Sequence, residues 1–303
     1  MHHRHLLRAV PAAVIAASLL GCASDKPPLM VPVTTTSTST ATSTITTPPL
    51  APLSREQIEA IVNSPDRSPA DRTNDIRRHP VELFAFIGAQ PGWTVLDVST
   101  GGGYTTELLA RMVGPTGLVW AQSRPRNPDA PAARPMQPEG GGAAPAAAPA
   151  PRSTADVLAE RSDRMKAAGV AAAPIAYAAL PFDNPVPPEA VGKLDLVTLM
   201  FNYHDFGWIP VDRARMNRAI FAALKPGGFY VIADHAGRPG TGISESGTLH
   251  RIEESFLRSE VEAAGFRLVA EGNFLRNPND PRDQNAPNPP QPKDEFVLKF
   301  VKP

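Results

Sequence analysis

The chain of 303 residues is predicted to fold as an α/β domain built on a mostly parallel sheet. An apolar strand at 95–98 leads into a glycine-rich turn and then into a helix at 105–113, which is the pattern of a strand–turn–helix unit. The run 194–201 is almost continuously apolar, as expected for a parallel strand that is buried on both faces. A helix that closes at 224 and a strand over 229–233 repeat the alternation.

The remaining elements follow from apolar spacing, helix capping signals and glycine stops. A Ser-Thr-Ala-Asp capping signal at 153–156 starts one helix, and Gly169 ends it. Gly265 is the C-terminal cap of the last helix. The elements predicted in this way are helices over 80–87, 153–168 and 248–264 and strands over 118–121, 266–269 and 296–301.

Two low-complexity segments are excluded from the predicted core. Residues 22–53 are rich in Thr, Ser and Pro, which predicts a tether. Residues 124–152 are rich in Pro, Ala and Gly, which predicts a disordered surface insertion. Without them about 220 residues remain, enough for one domain. The 30 basic and 30 acidic side chains balance, so the charge provides no footprint for a nucleic-acid partner.

The first 21 residues have the features of an export signal. Arg4 and Arg8 precede an apolar stretch at 9–20, which is shorter than the roughly 20 apolar residues of a membrane-spanning helix. The pattern Leu-Leu-Gly-Cys that ends at Cys22 resembles a bacterial lipoprotein signal, in which the cysteine is acylated after cleavage. The resemblance implies a protein anchored to a membrane of the cell envelope, with the periplasmic face expected. The alternative is an incidental cysteine behind an uncleaved anchor.

The glycine-rich turn is the clearest sign of a ligand site. Glycines at a strand-to-helix turn let a ligand approach the backbone, and the N-terminus of the helix attracts an anionic group. A dinucleotide fingerprint, G-x-G-x-x-G, is not completed, because Thr106 stands where its third glycine would be. The spacing acidic-x-Gly-x-Gly-x-Gly is matched by Asp97, Ser99, Gly101 and Gly103, with serine in place of the first glycine.

This motif resembles that of the class I S-adenosylmethionine-dependent methyltransferases. The segment Leu-Lys-Pro-Gly-Gly at 224–228, between a helix and an apolar strand, also resembles the family. The resemblance covers roughly residues 54–303, apart from the insertion. It implies a Rossmann-like, doubly wound fold with a mostly parallel seven-stranded sheet, helices on both faces and an antiparallel C-terminal strand.

The resemblance also implies S-adenosyl-L-methionine as the cofactor. The residues expected to bind it are Asp97, Ser99, Gly101, Gly103, Gln122 and Asn202. Two acids that are common in the family are missing. Gln122 and Ser123 stand at the end of the second strand, where an acid would hold the ribose hydroxyls, and 176–179 lacks the acid that would meet the adenine.

Polar side chains follow two predicted strands at the edge where open α/β sheets bind ligands. Asn202, Tyr203, His204 and Asp205 follow the strand 194–201. His204 is the predicted general base, Asp205 would orient its ring and raise its basicity, and Tyr203 is a third catalytic candidate. The alternatives are that Asp205 caps a helix and that Tyr203 only packs.

Two further histidines occupy comparable places. Asp234 and His235 follow the strand 229–233, and His250 lies near the start of the last predicted helix. The alternative is that the pair at 234–235 closes a turn. A second alternative is that the three histidines are metal ligands. Because they lack a close i, i+4 pair and there is no cysteine cluster, no metal site is predicted.

The sequence is consistent with two functions. The preferred one is an S-adenosylmethionine-dependent methyltransferase that acts on an unidentified small or lipid-like acceptor. The alternative is a catalytically inactive methyltransferase-fold lipoprotein that serves as a ligand-binding or scaffold module in the cell envelope. The glycine turn and the polar cluster at 202–205 favour the enzyme, whereas the missing ribose acid and the export signal favour the alternative.

Overall fold

The computed structural model describes residues 51–125, 152–287 and 290–303, which belong to one compact unit. The predicted signal peptide, Cys22, nearly all of the tether and nearly all of the insertion lie outside these residues. The helices are α1 (Arg55–Val62), α2 (Pro69–Arg78), α3 (Pro80–Ile87), α4 (Tyr104–Val113), α5 (Thr154–Ala167), α6 (Arg213–Ala223), α7 (Ser246–Leu249) and α8 (Glu254–Ala263). The strands are β1 (Thr94–Val98), β2 (Leu118–Ser123), β3 (Ile175–Ala179), β4 (Leu194–Met200), β5 (Leu224–His235), β6 (Arg267–Gly272) and β7 (Glu295–Val301).

The seven strands form one sheet in the order β3-β2-β1-β4-β5-β7-β6. Strands β1 to β5 pair in parallel, and β7 runs antiparallel between β5 and β6. The predicted fold class, a mostly parallel seven-stranded α/β sheet with an antiparallel C-terminal strand, is confirmed. None of the helices in the described part of the chain has the length and hydrophobicity needed to cross a bilayer.

Two hydrophobic layers cover the two faces of the sheet. Because side chains alternate along a strand, Val95 of β1 packs with α1, α3 and α4, whereas Leu96 and Val98 pack on the other face with α6 and α8. These three side chains are buried. Each buried aliphatic side chain of this kind stabilises the fold by about 1.5–3 kcal/mol, so both faces of the sheet contribute to the stability of the framework that carries the loops.

The helix predicted over 248–264 is interrupted, and that prediction is wrong in its first part. His250 adopts a left-handed conformation with a φ of 52°, and Ile252 pairs with Ala236 in an isolated bridge. Arg251 is fully buried; it lies 2.8 Å from a carboxylate oxygen of Asp280 and donates a hydrogen bond to the Ala236 carbonyl. These tertiary contacts outweigh the local preference for helix, and they separate α7 from α8.

Candidate functional site

The candidate site lies at the carboxyl ends of β1 and β4. These strands are neighbours, but the chain continues from β1 to β2 on one side and from β4 to β5 on the other. Such a reversal of strand order opens a crevice between the loops, and ligands of open α/β sheets bind there. The glycine turn follows β1 at this edge, and the polar segment 202–205 follows β4.

The glycine turn combines a close internal contact with an open outer surface. Ser99, Gly101 and Gly103 have φ values of 59°, 55° and 77°, in the left-handed region that favours glycine. A Cβ atom on Gly103 would come within 2.8 Å of Leu158 and 2.9 Å of Arg161, whereas one on Gly101 would have no neighbour closer than 3.9 Å. Gly103 therefore lets α5 approach, and Gly101 leaves exposed backbone for a ligand.

Asp97 supports the turn from inside. Its carboxylate is buried and accepts hydrogen bonds from the hydroxyls of Thr106, at 2.6 Å, and Thr198, at 2.8 Å. Burial raises the pKa of the Asp97 carboxyl, although the hydrogen bonds oppose the rise. Asp97 thus ties β1 to α4 and β4, and its carboxylate is covered by these elements. Thr106, which breaks the dinucleotide fingerprint, is one of its donors.

Gln122 also points inward. Its Oε1 accepts from the Ser99 backbone N–H at 3.0 Å, and its Nε2 donates to the Leu180 carbonyl at 2.6 Å. Because Gln122 is fully buried, it holds the turn against the segment after β3 and does not present its amide to a ribose. The polar groups nearer the surface at this end are the Ser123 and Tyr177 hydroxyls, which lie 2.8 Å apart.

Two hydrogen bonds join the glycine turn to the polar segment after β4. The Ser99 hydroxyl donates to Asn202 Oδ1, and Asn202 Nδ2 donates to Asp205 Oδ2 at 2.5 Å. Ser99 and Asn202 are half-buried, so part of each side chain is accessible at this edge of the sheet. The structure therefore brings together Ser99, Asn202 and Asp205 from the predicted site residues.

His204 lies between two carboxylates. Its Nδ1 is 2.6 Å from Asp234 Oδ1, its Nε2 is 3.3 Å from Asp205 Oδ1, and its ring is buried. Burial lowers the pKa of His204, but the two carboxylates raise it to about 10. A histidine that keeps both protons and faces carboxylates on both nitrogens does not take a proton from a substrate, so this arrangement does not fit the predicted general base.

Asp205 is the centre of the cluster. Its Oδ1 accepts from Trp208 Nε1 at 3.0 Å and lies 3.2 Å from His250 Nδ1. Burial alone would raise the pKa of Asp205, but hydrogen bonds from His204 and His250 hold it well below its usual range. His250 reaches this position from the break between α7 and α8, and a third of its side chain is exposed.

Tyr203 is not part of this cluster. Its hydroxyl donates to Glu260 at 2.9 Å and accepts from Asn217 Nδ2 at 2.9 Å, under α6 and α8. The ring is fully buried, and burial raises the pKa of the phenol well above its usual value. The structure therefore corrects the expectation of a catalytic Tyr203: its place is in the packing of the sheet against these two helices.

Helix α2 contributes two arginines that were not among the site residues predicted from the sequence. Arg77 and Arg78, at the end of α2, place their guanidinium groups 4.8 Å and 4.7 Å from the centre of the Phe201 ring, an arrangement for cation–π attraction. Arg77 also bonds Glu295 at 2.8 Å, and Glu295 lies 3.0 Å from His235 Nδ1. A cleft of about 420 Å³ is lined by Arg77 and Glu295 together with residues of the segment before β7. Nothing in the sequence around Arg77 and Arg78 indicates that they would lie against Phe201.

Comparison with known proteins shows likeness of fold. No family model matches the chain, and no curated protein matches it. A S-adenosylmethionine-dependent methyltransferase of Aquifex aeolicus is 14% identical, with a TM-score of 0.48 over 83% of this chain and 100% of that one. The [4+2]-cyclase SpnF is 15% identical, with a TM-score of 0.47 over 84% and 98%. Fibrillarin of Aeropyrum pernix, solved with natively bound S-adenosylmethionine, is 16% identical, with a TM-score of 0.39 over 70% and 68%.

Proposed function

We propose that residues 54–303 form a methyltransferase that uses S-adenosyl-L-methionine and acts on a small or lipid-like acceptor. The observation that carries the proposal is the contact between the two halves of the site. The glycine turn after β1 and the cluster after β4 lie at the same edge of the sheet and are joined by the hydrogen bonds of Ser99, Asn202 and Asp205. A cofactor on the turn and an acceptor against the cluster would therefore be neighbours.

The residues of the glycine turn fit the amino-acid part of the cofactor. The residues near the expected position of the ribose fit that sugar less closely. The exposed backbone at Gly101 and Gly102 and the start of α4 suit the amino-acid part, which carries a carboxylate. At the sugar, the neutral hydroxyls of Ser123 and Tyr177 replace the carboxylate that the family resemblance would lead one to expect. Neutral groups make weaker hydrogen bonds than a carboxylate, so we expect modest affinity.

Each part of the site has a distinct task under this proposal. S-adenosylmethionine supplies a methyl group on a sulfonium, and alignment of the acceptor with that group provides much of the rate. Asp97 and Gln122 hold the turn in shape, while His204 holds the Asp205 carboxylate in place. His250, with a third of its side chain exposed, is the member of the cluster that an acceptor can reach.

We also propose the cell envelope as the location, with Cys22 as the lipid anchor. The proposal rests on the sequence pattern at 1–22 alone. Mass spectrometry of the protein from a bacterial membrane fraction tests it. A chain that begins at an acylated Cys22 supports the anchor, and an intact N-terminus excludes it.

The first test of the function is calorimetric titration of the full chain with S-adenosylmethionine and S-adenosylhomocysteine. The matched variants are Gly101→Asp and Gly227→Asp. Both glycines have left-handed φ values, 55° and 79°, with open space for a Cβ atom, and aspartate tolerates this conformation better than most residues. Only Gly101 lies on the proposed cofactor surface, where a new negative charge would repel the cofactor carboxylate.

We expect saturable binding to the parent and to Gly227→Asp, and at least 10-fold weaker binding to Gly101→Asp. Cofactor at 100 times its dissociation constant should also stabilise the fold by about 2.7 kcal/mol. No saturable heat with a folded parent would reject the methyltransferase and favour the inactive lipoprotein. Equal binding to the two variants would place the cofactor elsewhere.

A further inference from the structure

We infer that His204, Asp205 and His250 bind one divalent metal ion of the zinc type and leave one coordination position open. The binding of the ion is independent of the proposed function. Only the use of the open position rests on it: that position would take a donor atom of the methyl acceptor. Acceptors are then restricted to molecules with an oxygen or nitrogen that coordinates a metal.

The first support is the spacing of the donor atoms. One atom from each of the three side chains lies within 4.8 Å of the other two. Asp205 Oδ1 is 3.3 Å from His204 Nε2 and 3.2 Å from His250 Nδ1. In a tetrahedral zinc site with bonds of about 2.0–2.1 Å, neighbouring donors are about 3.3 Å apart. Two of the separations therefore already match the edge of a tetrahedron.

The second support is the set of contacts behind the donors. A histidine that binds a metal commonly donates its other N–H to a carboxylate, which fixes the tautomer and orients the ring. Asp234 has this place, 2.6 Å from Nδ1 of His204, and it also accepts the backbone N–H of His204 at 2.8 Å. Asn202 and Trp208 hold the Asp205 carboxylate by hydrogen bonds from their side chains. The Nε2 of His204 is thereby directed at Asp205.

The third support is charge. Asp205 and Asp234 place two carboxylates in a buried region, with side chains 7% and 0% exposed. A protonated His204 balances only one of these two buried negative charges. Buried charge without a partner is costly, and a divalent cation that replaces the proton on Nε2 of His204 would balance both carboxylates with the two histidines neutral. The partly exposed side of His250 gives the ion an entry path.

The donor set indicates which ions fit. Two imidazoles and one carboxylate suit Zn²⁺ and its neighbours Co²⁺ and Fe²⁺, whereas Mg²⁺ and Ca²⁺ prefer oxygen donors. Three protein ligands with a fourth position open are typical of catalytic zinc sites, while structural sites have four protein ligands.

The experiment measures Zn²⁺ binding to the full chain without S-adenosylmethionine. His2, His3 and His5 are first changed to alanine, because a cluster of histidines near the N-terminus would bind Zn²⁺ as well. In this background the test variant is His250→Gly and the matched control is His79→Gly. Both histidines have left-handed φ values, 52° and 43°, which glycine adopts freely, and His79 lies outside the cluster.

Equilibrium dialysis with elemental analysis should find one Zn²⁺ per chain in the background protein and in His79→Gly. His250→Gly should bind at least 100-fold more weakly. Asp234→Asn, which keeps all three ligands, should weaken binding about 10–100-fold. Substitution with Co²⁺ should give the intense visible absorption of a tetrahedral ion, and His250→Gly should lose it.

Absence of bound Zn²⁺ from the folded background protein would overturn the inference. Equal affinity of His250→Gly and His79→Gly would do the same. The readout does not depend on the cofactor. Zinc binding without a response to S-adenosylmethionine would leave the metal site standing and reject the methyltransferase, and the reverse result would reject the metal site alone.

Discussion

Replacement of Gly103 by alanine tests the packing that shapes the glycine turn. Gly103 has a φ of 77°, and its missing Cβ atom would overlap Leu158 and Arg161 of α5. Arg161 has little freedom to move away, because it bonds the Gly102 carbonyl at 2.6 Å and the carboxylates of Asp71 and Glu107 at 2.6–2.8 Å. We therefore expect Gly103→Ala to break part of this network.

The expected loss has two parts. A left-handed conformation costs a residue with a side chain about 1–2 kcal/mol. The displacement of Arg161 loses at least one hydrogen bond to a charged group, which costs about 1.5–3 kcal/mol. The free energy of unfolding should therefore fall by about 2.5–5 kcal/mol. Gly227→Ala is the matched control, because Gly227 has a φ of 79° with no atom near its Cβ position; it should lose only the first part.

Urea denaturation of the parent and of both variants measures the difference. In a separate thermal melt, the melting temperature should fall by roughly 2–4 °C for each kcal/mol of unfolding free energy that is lost. Equal losses for Gly103→Ala and Gly227→Ala would refute the reasoning, since they would show that α5 yields to the new methyl group without cost. A larger loss of unfolding free energy in Gly103→Ala than in Gly227→Ala would establish that α5 sets the path of the turn.

Three further variants test other parts of the structure. The hydrogen bonds from Arg111 lower the pKa of Asp66 to about 2, so its contribution is present above the unfolded pKa of about 4; the stability advantage of the parent over Asp66→Asn should shrink by about 2 kcal/mol between pH 5 and 2. Arg251→Met leaves the buried carboxylate of Asp280 without its partner, and urea denaturation should show a loss of about 3–5 kcal/mol. Tyr203→Phe should lose about 1–2 kcal/mol with unchanged affinity for S-adenosylmethionine in calorimetry; a weaker affinity would return Tyr203 to the site.

The strands and helices around the glycine turn could be predicted because their signals are local. An apolar run of four or more residues, a glycine turn and a helical repeat are read within one short window. β1, α4 and β4 accordingly lie within a residue or two of their predicted bounds. The same local signals predicted one helix over 248–264 where the structure has α7 and α8. The break between them depends on Arg251 and its buried partner Asp280, which is 29 residues away in sequence.

The direction of a polar side chain at the site could not be predicted. Asp97 and Gln122 were expected to face a cofactor, and the structure turns both inward. One of the two hydroxyls that hold Asp97 belongs to Thr198, which is 101 residues away, and Gln122 bonds Leu180, which is 58 residues away. Nothing near Asp97 or Gln122 in the sequence identifies these distant partners, so only the tertiary structure shows that both side chains are buried.

The sequence by itself determined the class of fold, the glycine turn at the end of β1 and the polar segment after β4, because periodicity and glycine placement act over a few residues. Only the tertiary structure decided what these parts form together. His204 meets Asp234 from 30 residues away, and Asp205 meets His250 from 45 residues away. The cost of burying two carboxylates is offset only when the parallel strands and the break after α7 bring their partners to the same edge of the sheet.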